Sequence, residues 1–226
     1  MAVVVDADRT ALAPAVRRSL RPLVAWLPWL PVAAVTLAFA AGLSVPPSLR
    51  YAPLAVSVVA FGLPHGAVDW AALPRAAVGR LDTRWMAVVG LLYLGLGGAY
   101  AAVWFLYPVA AAVAFVALTW FHWGQGEIYP LATVLGADHL DSRPRRALAV
   151  VVRGGLPMLV PLLGFPATYR AVVDTFVAPF GGSTTGWWLF EPRARLALAG
   201  IFGTITIIAL ARGFARARDR RRWRLD

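Results

Sequence analysis

Residues 86–107 read MAVVGLLYLGLGGAYAAVWFLY, 22 positions without a charged side chain. A helix of that length covers about 33 Å, enough for the roughly 30 Å of hydrocarbon in a bilayer. On either side of this run, Leu23–Leu43, Ala52–Ala72 and Ala147–Phe165 meet or nearly meet the same requirement. Val109–Trp123 and Arg195–Ala211 are shorter apolar runs. The first of these follows Tyr107-Pro108, a pair expected to turn the chain tightly between two antiparallel helices. Tyr169–Phe180 is shorter still and carries Arg170 and Asp174.

Composition supports the same class. Of 226 residues, 60% are hydrophobic and 15% charged, whereas soluble domains run at roughly 45–50% and 25%. A water-soluble globule is excluded. The chain has no cysteine, which removes disulfides, Cys-ligated zinc and iron–sulfur clusters and leaves His, Asp, Glu or Gln for any metal. All 22 basic residues are arginine, so Schiff-base chemistry on lysine is excluded too. The net charge of +11 does not point to nucleic acid, because the arginines fall between apolar runs rather than on the face of a soluble domain.

Arginine position sets the expected topology. Arg9, Arg17, Arg18 and Arg21 precede the first run; Arg75, Arg80 and Arg84 follow the second; Arg143, Arg145 and Arg146 follow the fourth-crossing segment Val109–Trp123. These clusters share one side if the spans alternate, and the tail from Arg212 to Arg224 joins them only if Tyr169–Phe180 does not cross. The expectation is therefore an all-α, polytopic transmembrane helical bundle of about six spans in the cell membrane, forming one integral membrane domain over 1–226. Both termini are cytoplasmic, with 1–22 as the N-terminal segment and 212–226 as an Arg-rich loop or tail. Residues 166–194 form an outer re-entrant or interfacial segment, with Trp187, Trp188 and Phe190 as an interfacial belt. The first run exceeds the roughly 7–15 residues of a signal-peptide core and reads as a retained anchor. No internal repeat or low-complexity linker is visible.

Histidine is scarce: His65, His122 and His139 are the whole inventory. His65 lies in FGLPHGAVDW, residues 61–70, and Asp69 comes one helical turn later on the same face. His122 lies in WFHWGQGE, residues 120–127, at the inner end of its run. Ionisable groups at membrane depth usually face a bundle interior and mark a functional site. Gly62, Gly66, Gly124 and Gly126 beside the two histidines allow close backbone approach and leave room for a metal. Imidazole suits Fe, Cu, Ni and Zn, with a carboxylate as ligand or as the group that orients the ring. Three readings stay open on the residues alone: a metal pair, a proton relay through His65, Asp69 and Glu127, or buried histidines with ordinary hydrogen-bond partners. His139, in Asp138-His139-Leu140-Asp141, is expected to be a solvated loop residue.

The motifs at 61–69 and 121–127, in that order and with their histidines 57 residues apart, resemble those of the Brp/Blh family of bacterial and archaeal β-carotene 15,15′-dioxygenases. The resemblance implies a membrane-embedded non-haem Fe(II) oxygenase that cleaves the central double bond of β-carotene with O₂ to give two all-trans-retinal molecules. It implies His65 and His122 as iron ligands, and Asp69 and Glu127 as acceptors for their imidazole N–H groups. Trp70, Trp120, Phe121 and Trp123 become candidates for a polyene tunnel, against the plainer reading of aromatic helix packing. Membrane lipid holds the substrate, and a retinal-binding opsin is the expected functional link. Family members carry two further metal histidines in a Trp-His-Ser-x-Arg-His-type segment, which residues 1–226 lack. The chain is accordingly expected to be a truncated member whose own iron ligands are incomplete; the alternative is a divergent protein that recruits other ligands. Two rival functions remain, a non-catalytic carotenoid-binding or retinal-protein assembly factor and a small proton-coupled transporter. The second lacks the inverted repeats or paired broken helices it would need.

Overall fold

The computed structural model describes residues 14–49, 51–62, 68, 71–72, 74–76, 78–140 and 142–220. Among them every regular element is helical: α1 (Pro14–Trp26), α2 (Trp29–Ala40), α3 (Ala52–Ser57), α4 (Thr83–Leu106), α5 (Pro108–Pro130), α6 (Arg143–Gly164), α7 (Pro166–Val177) and α8 (Pro192–Arg220). Four stretches are long and apolar enough to cross a membrane, namely Pro14–Ala40, Thr83–Leu106, Arg143–Gly164 and Pro192–Ala215. They correspond to the runs read at 23–43, 86–107, 147–165 and 195–211. Large apolar side chains on them face outward: Leu94 is 75% exposed and Leu196 74%. Water would penalise such surface, whereas lipid tails are as apolar as the side chains themselves.

The other two expected spans differ for physical reasons. The run at 52–72 begins as α3 and continues through a π-type turn, Val58–Gly62; His65, Asp69 and Trp70, further along the same run, lie outside the described residues. Helix α5 has 23 residues, but His122, Gln125 and Glu127 in its last third make it more polar than the four.

The chain divides into two compact units, one of residues 34–106 and one of residues 1–33 with 107–226. In the first, α2 ends where Leu43 N–H bonds to Ala38 O and Gly42 takes a φ of 83°, a left-handed stop open to glycine. Asp82 caps α4 by accepting the backbone N–H groups of Arg84 and Trp85 at 3.0 and 3.3 Å.

In the second unit α5 packs along α6, and α6 along α8. Two apolar clusters form its core. One joins Ile128, Leu131, Leu140 and Val150; the other joins Leu159, Leu162, Phe190 and Phe202, with Trp120 and Trp187 against it. Helix α7 has 12 residues, about 18 Å and well short of the hydrocarbon thickness. The connection after it folds back on Asp174, whose Oδ1 accepts both the N–H and the hydroxyl of fully buried Thr184 at 2.8 and 2.9 Å. Phe190 is buried at 5% exposure, with Trp187 5.8 Å away and the Arg170 guanidinium 4.6 Å above its ring. Of the expected aromatic belt only Trp188, 61% exposed, faces outward. Phe190 instead fills the gap between α6 and α8.

Candidate functional site

The second histidine motif occupies the last three turns of α5, and helical geometry sorts its residues. Trp120, Gly124 and Ile128, four apart, form the face against α6; Gly124 and Ile128 are buried. A side chain on Gly124 would run into the Val150 backbone, and one on Gly154 into the Trp120 carbonyl. Small residues thus bring the two backbones together. Trp120 donates its indole N–H to Val151 O at 2.8 Å and stands edge-on to Phe202 at 6.2 Å. It belongs to the packing of α5, α6 and α8.

His122 is exposed on another face of α5, as are Gln125 and Gly126. Nothing lies within 4 Å of where a side chain on Gly126 would begin, so the space one turn beyond the imidazole is open. Phe121 and Trp123 flank His122 at 55% and 53% exposure. Glu127 lies five positions on, about 140° around the helix from His122. Its Oε2 is 3.3 Å from Arg153 Nη1 on α6. Sequence reasoning missed Arg153, although a charge inside the apolar run at 147–165 is a signal that a partner must exist.

The donor chemistry at His122 suits iron, since neutral imidazole is a normal ligand for it. Among the described residues no three His, Asp or Glu side chains are grouped to hold a metal, and the other motif, with His65 and Asp69, lies outside them. His139 is half-buried in a short 3₁₀ turn, Asp138–Leu140, on the wall of a cavity with Arg145 and Arg212, away from the His122 face.

The family model described as beta-carotene 15,15'-dioxygenase matches residues 56–225. The chain is 55% identical over 218 residues to "Probable beta-carotene 15,15'-dioxygenase Blh" of Halobacterium salinarum, covering 96% of this chain and 63% of that protein. It is 29% identical over 186 residues to "Probable beta-carotene 15,15'-dioxygenase Brp" of the same organism, covering 82% of this chain and 51% of that one. The chain therefore spans between half and two thirds of the length of these relatives. No solved structure matches it.

Proposed function

Because the chain belongs to the beta-carotene 15,15'-dioxygenase family, we propose that it is the membrane-embedded part of a non-haem iron enzyme that cleaves β-carotene at its central 15,15′ double bond. The observation that carries this reading is the match over 56–225, which takes in both histidine motifs. In the reaction one O₂ is consumed, the C15–C15′ double bond breaks, and each oxygen atom ends as the aldehyde oxygen of one all-trans-retinal.

His65 and His122 would hold Fe(II), which when bound supplies activation of O₂ without an organic cofactor. Asp69, four positions after His65 in the sequence, would orient that imidazole by accepting its second N–H. Glu127 and Arg153 act on the backbone instead: their pair, with Trp120 on Val151, fixes α5 against α6 and so fixes the direction in which His122 projects. Phe121 and Trp123, both exposed beside His122, and Trp70 line the path of the polyene. A hydrocarbon substrate enters from the bilayer, which avoids exposing apolar surface to water at about 25 cal/mol per Å².

The chain is one integral membrane domain of six spans in the plasma membrane, with both termini cytoplasmic and 166–194 on the outer side. In support, Arg17 Nε donates to Val134 O at 2.9 Å, which puts the N-terminal helix beside the turn after α5. The cavity shared by His139, Arg145 and Arg212 puts the end of α8 beside the start of α6. Product retinal implies a retinal-binding opsin as the downstream partner.

The test is retinal formation in carotene-producing cells, with the chain expressed alone and joined to the part of the Blh relative that it does not cover. Retinal that disappears in His65→Ala and His122→Ala, together with bound iron, supports the reading. Well-expressed protein that retains carotene but makes no retinal in either form replaces it with a carotenoid-binding or assembly role.

A further inference from the structure

At the end of the second unit where α6 begins and α8 leaves its apolar stretch, a cavity of about 160 Å³ opens between the two helices. Arg145, Arg212, Gly213 and His139 line it, with Leu148, Val152 and Leu210 as its apolar wall. Arg153, also at the cavity, is engaged by Glu127 at 3.3 Å. Arg145 is steadied by its Nε donating to Ser142 Oγ at 2.8 Å. Along α6 the wall runs about 10 Å from Arg145 to Val152, with Leu148, Ala149 and Val152 between Arg145 and Arg153, so an apolar strip lies beside the arginines. The two segments that form it, 138–153 and 209–213, hold five arginines against two aspartates, and with Glu127 engaging Arg153 a positive excess of two remains, which a neutral ligand would not relieve.

We propose that this cavity binds the anionic headgroup of a membrane phospholipid, with the phosphate between Arg145 and Arg212 and the first part of an acyl chain along Leu148, Val152 and Leu210. A free inorganic anion would meet the charge but leave the apolar wall without a partner. A lipid meets both, and Leu210, 57% exposed, continues the wall onto the surface that faces the bilayer. Basic pockets between transmembrane helices are a recognised place for anionic headgroups, whereas charge on an open surface gives only diffuse attraction. The site is separate from the histidine motifs, so it does not depend on the oxygenase reading.

The test uses the full chain purified in mild detergent and titrated with phosphatidylglycerol, phosphatidylcholine or inorganic phosphate, reading retained lipid by native mass spectrometry and the thermal midpoint in parallel. Phosphatidylglycerol is expected to bind saturably and raise the midpoint, and phosphatidylcholine to do neither. In R145Q/R212Q the apparent affinity is expected to fall about thirtyfold, from about fivefold per arginine lost. If the double variant does not accumulate, R212Q alone, at an exposed position of α8, carries the comparison with an expected fivefold loss. Equal retention of the two lipids by the unmodified chain overturns the proposal, as does an affinity unchanged in the variants. Reproduction of the whole stabilisation by inorganic phosphate also overturns it, reducing the cavity to a simple anion site.

Discussion

Trp120 on α5 and Val151 on α6 are joined by a 2.8 Å hydrogen bond from the indole N–H to the backbone carbonyl, and the same ring stands edge-on to Phe202 of α8. One side chain therefore ties three helices together one turn before the buried Gly124. Trp120→Phe removes the donor and the part of the indole that packs at Gly155, with an expected loss of about 1–3 kcal/mol. Phe121→Ala and Trp123→Ala, at positions more than half exposed, are expected to change stability by under about 0.5 kcal/mol while lowering retinal yield. Thermal unfolding in detergent, read beside product formation, separates the two classes; a Phe121 variant that unfolds earlier than the Trp120 variant contradicts this assignment.

The glycines divide in the same way. A side chain at Gly154 meets the Trp120 carbonyl, whereas one at Gly126 meets nothing. Gly154→Val forces α5 away from α6 and is expected to cost about 1–3 kcal/mol. Gly126→Val leaves the packing intact but fills the open space beside His122. Near-normal unfolding with reduced iron content is the expected result for Gly126→Val, and iron retained at the level of the parent chain argues against a metal on that face.

Much of this division was invisible in the sequence. The membrane helices were legible at Met86–Tyr107 because a run apolar on every face needs no periodicity to be recognised. The ends of the last one were not: the run at 195–211 marks only the apolar stretch, while the helix takes in Arg193 and Arg212 as well, since long arginine side chains let a helix continue past its apolar run. Trp120, Phe121 and Trp123 read alike in a linear string. Only the close approach permitted by Gly154 and Gly155 distinguishes the tryptophan that packs from the two aromatics that do not. The histidine motifs were legible because His is costly in hydrocarbon, and Arg153 obeys the same rule.

Asp174 supports the connection between α7 and α8 through a single atom, since both bonds from Thr184 end on its Oδ1. Asp174→Ala leaves the N–H and hydroxyl of a fully buried threonine without that acceptor, at an expected cost of about 1–3 kcal/mol. Thr184→Val removes only the hydroxyl and is expected to cost less. Hydrogen exchange should show the loss as faster exchange at residues 178–190, with α5 and α6 unaffected. Uniform acceleration across the unit would mean that the loop does not open independently of the helices.

Glu127 and Arg153 offer the cleanest test of how α5 is held near His122. Their charged groups are 3.3 Å apart, with the arginine side chain 29% and the glutamate 52% exposed. That much exposure places the pair among partly screened ion pairs, for which a coupling of about 0.2–1 kcal/mol is expected. Glu127→Gln, Arg153→Gln and the double variant form a cycle whose interaction energy isolates the pair from the separate cost of each substitution. Glu127→Gln should be the more destabilising single change, because it leaves the less exposed partner, the Arg153 guanidinium, without its anion. If the pair also sets the direction of His122, both single variants lower retinal yield by more than their loss of folded protein explains, and the double variant is no worse than either. A yield that simply tracks the amount of folded protein would confine the pair to stability.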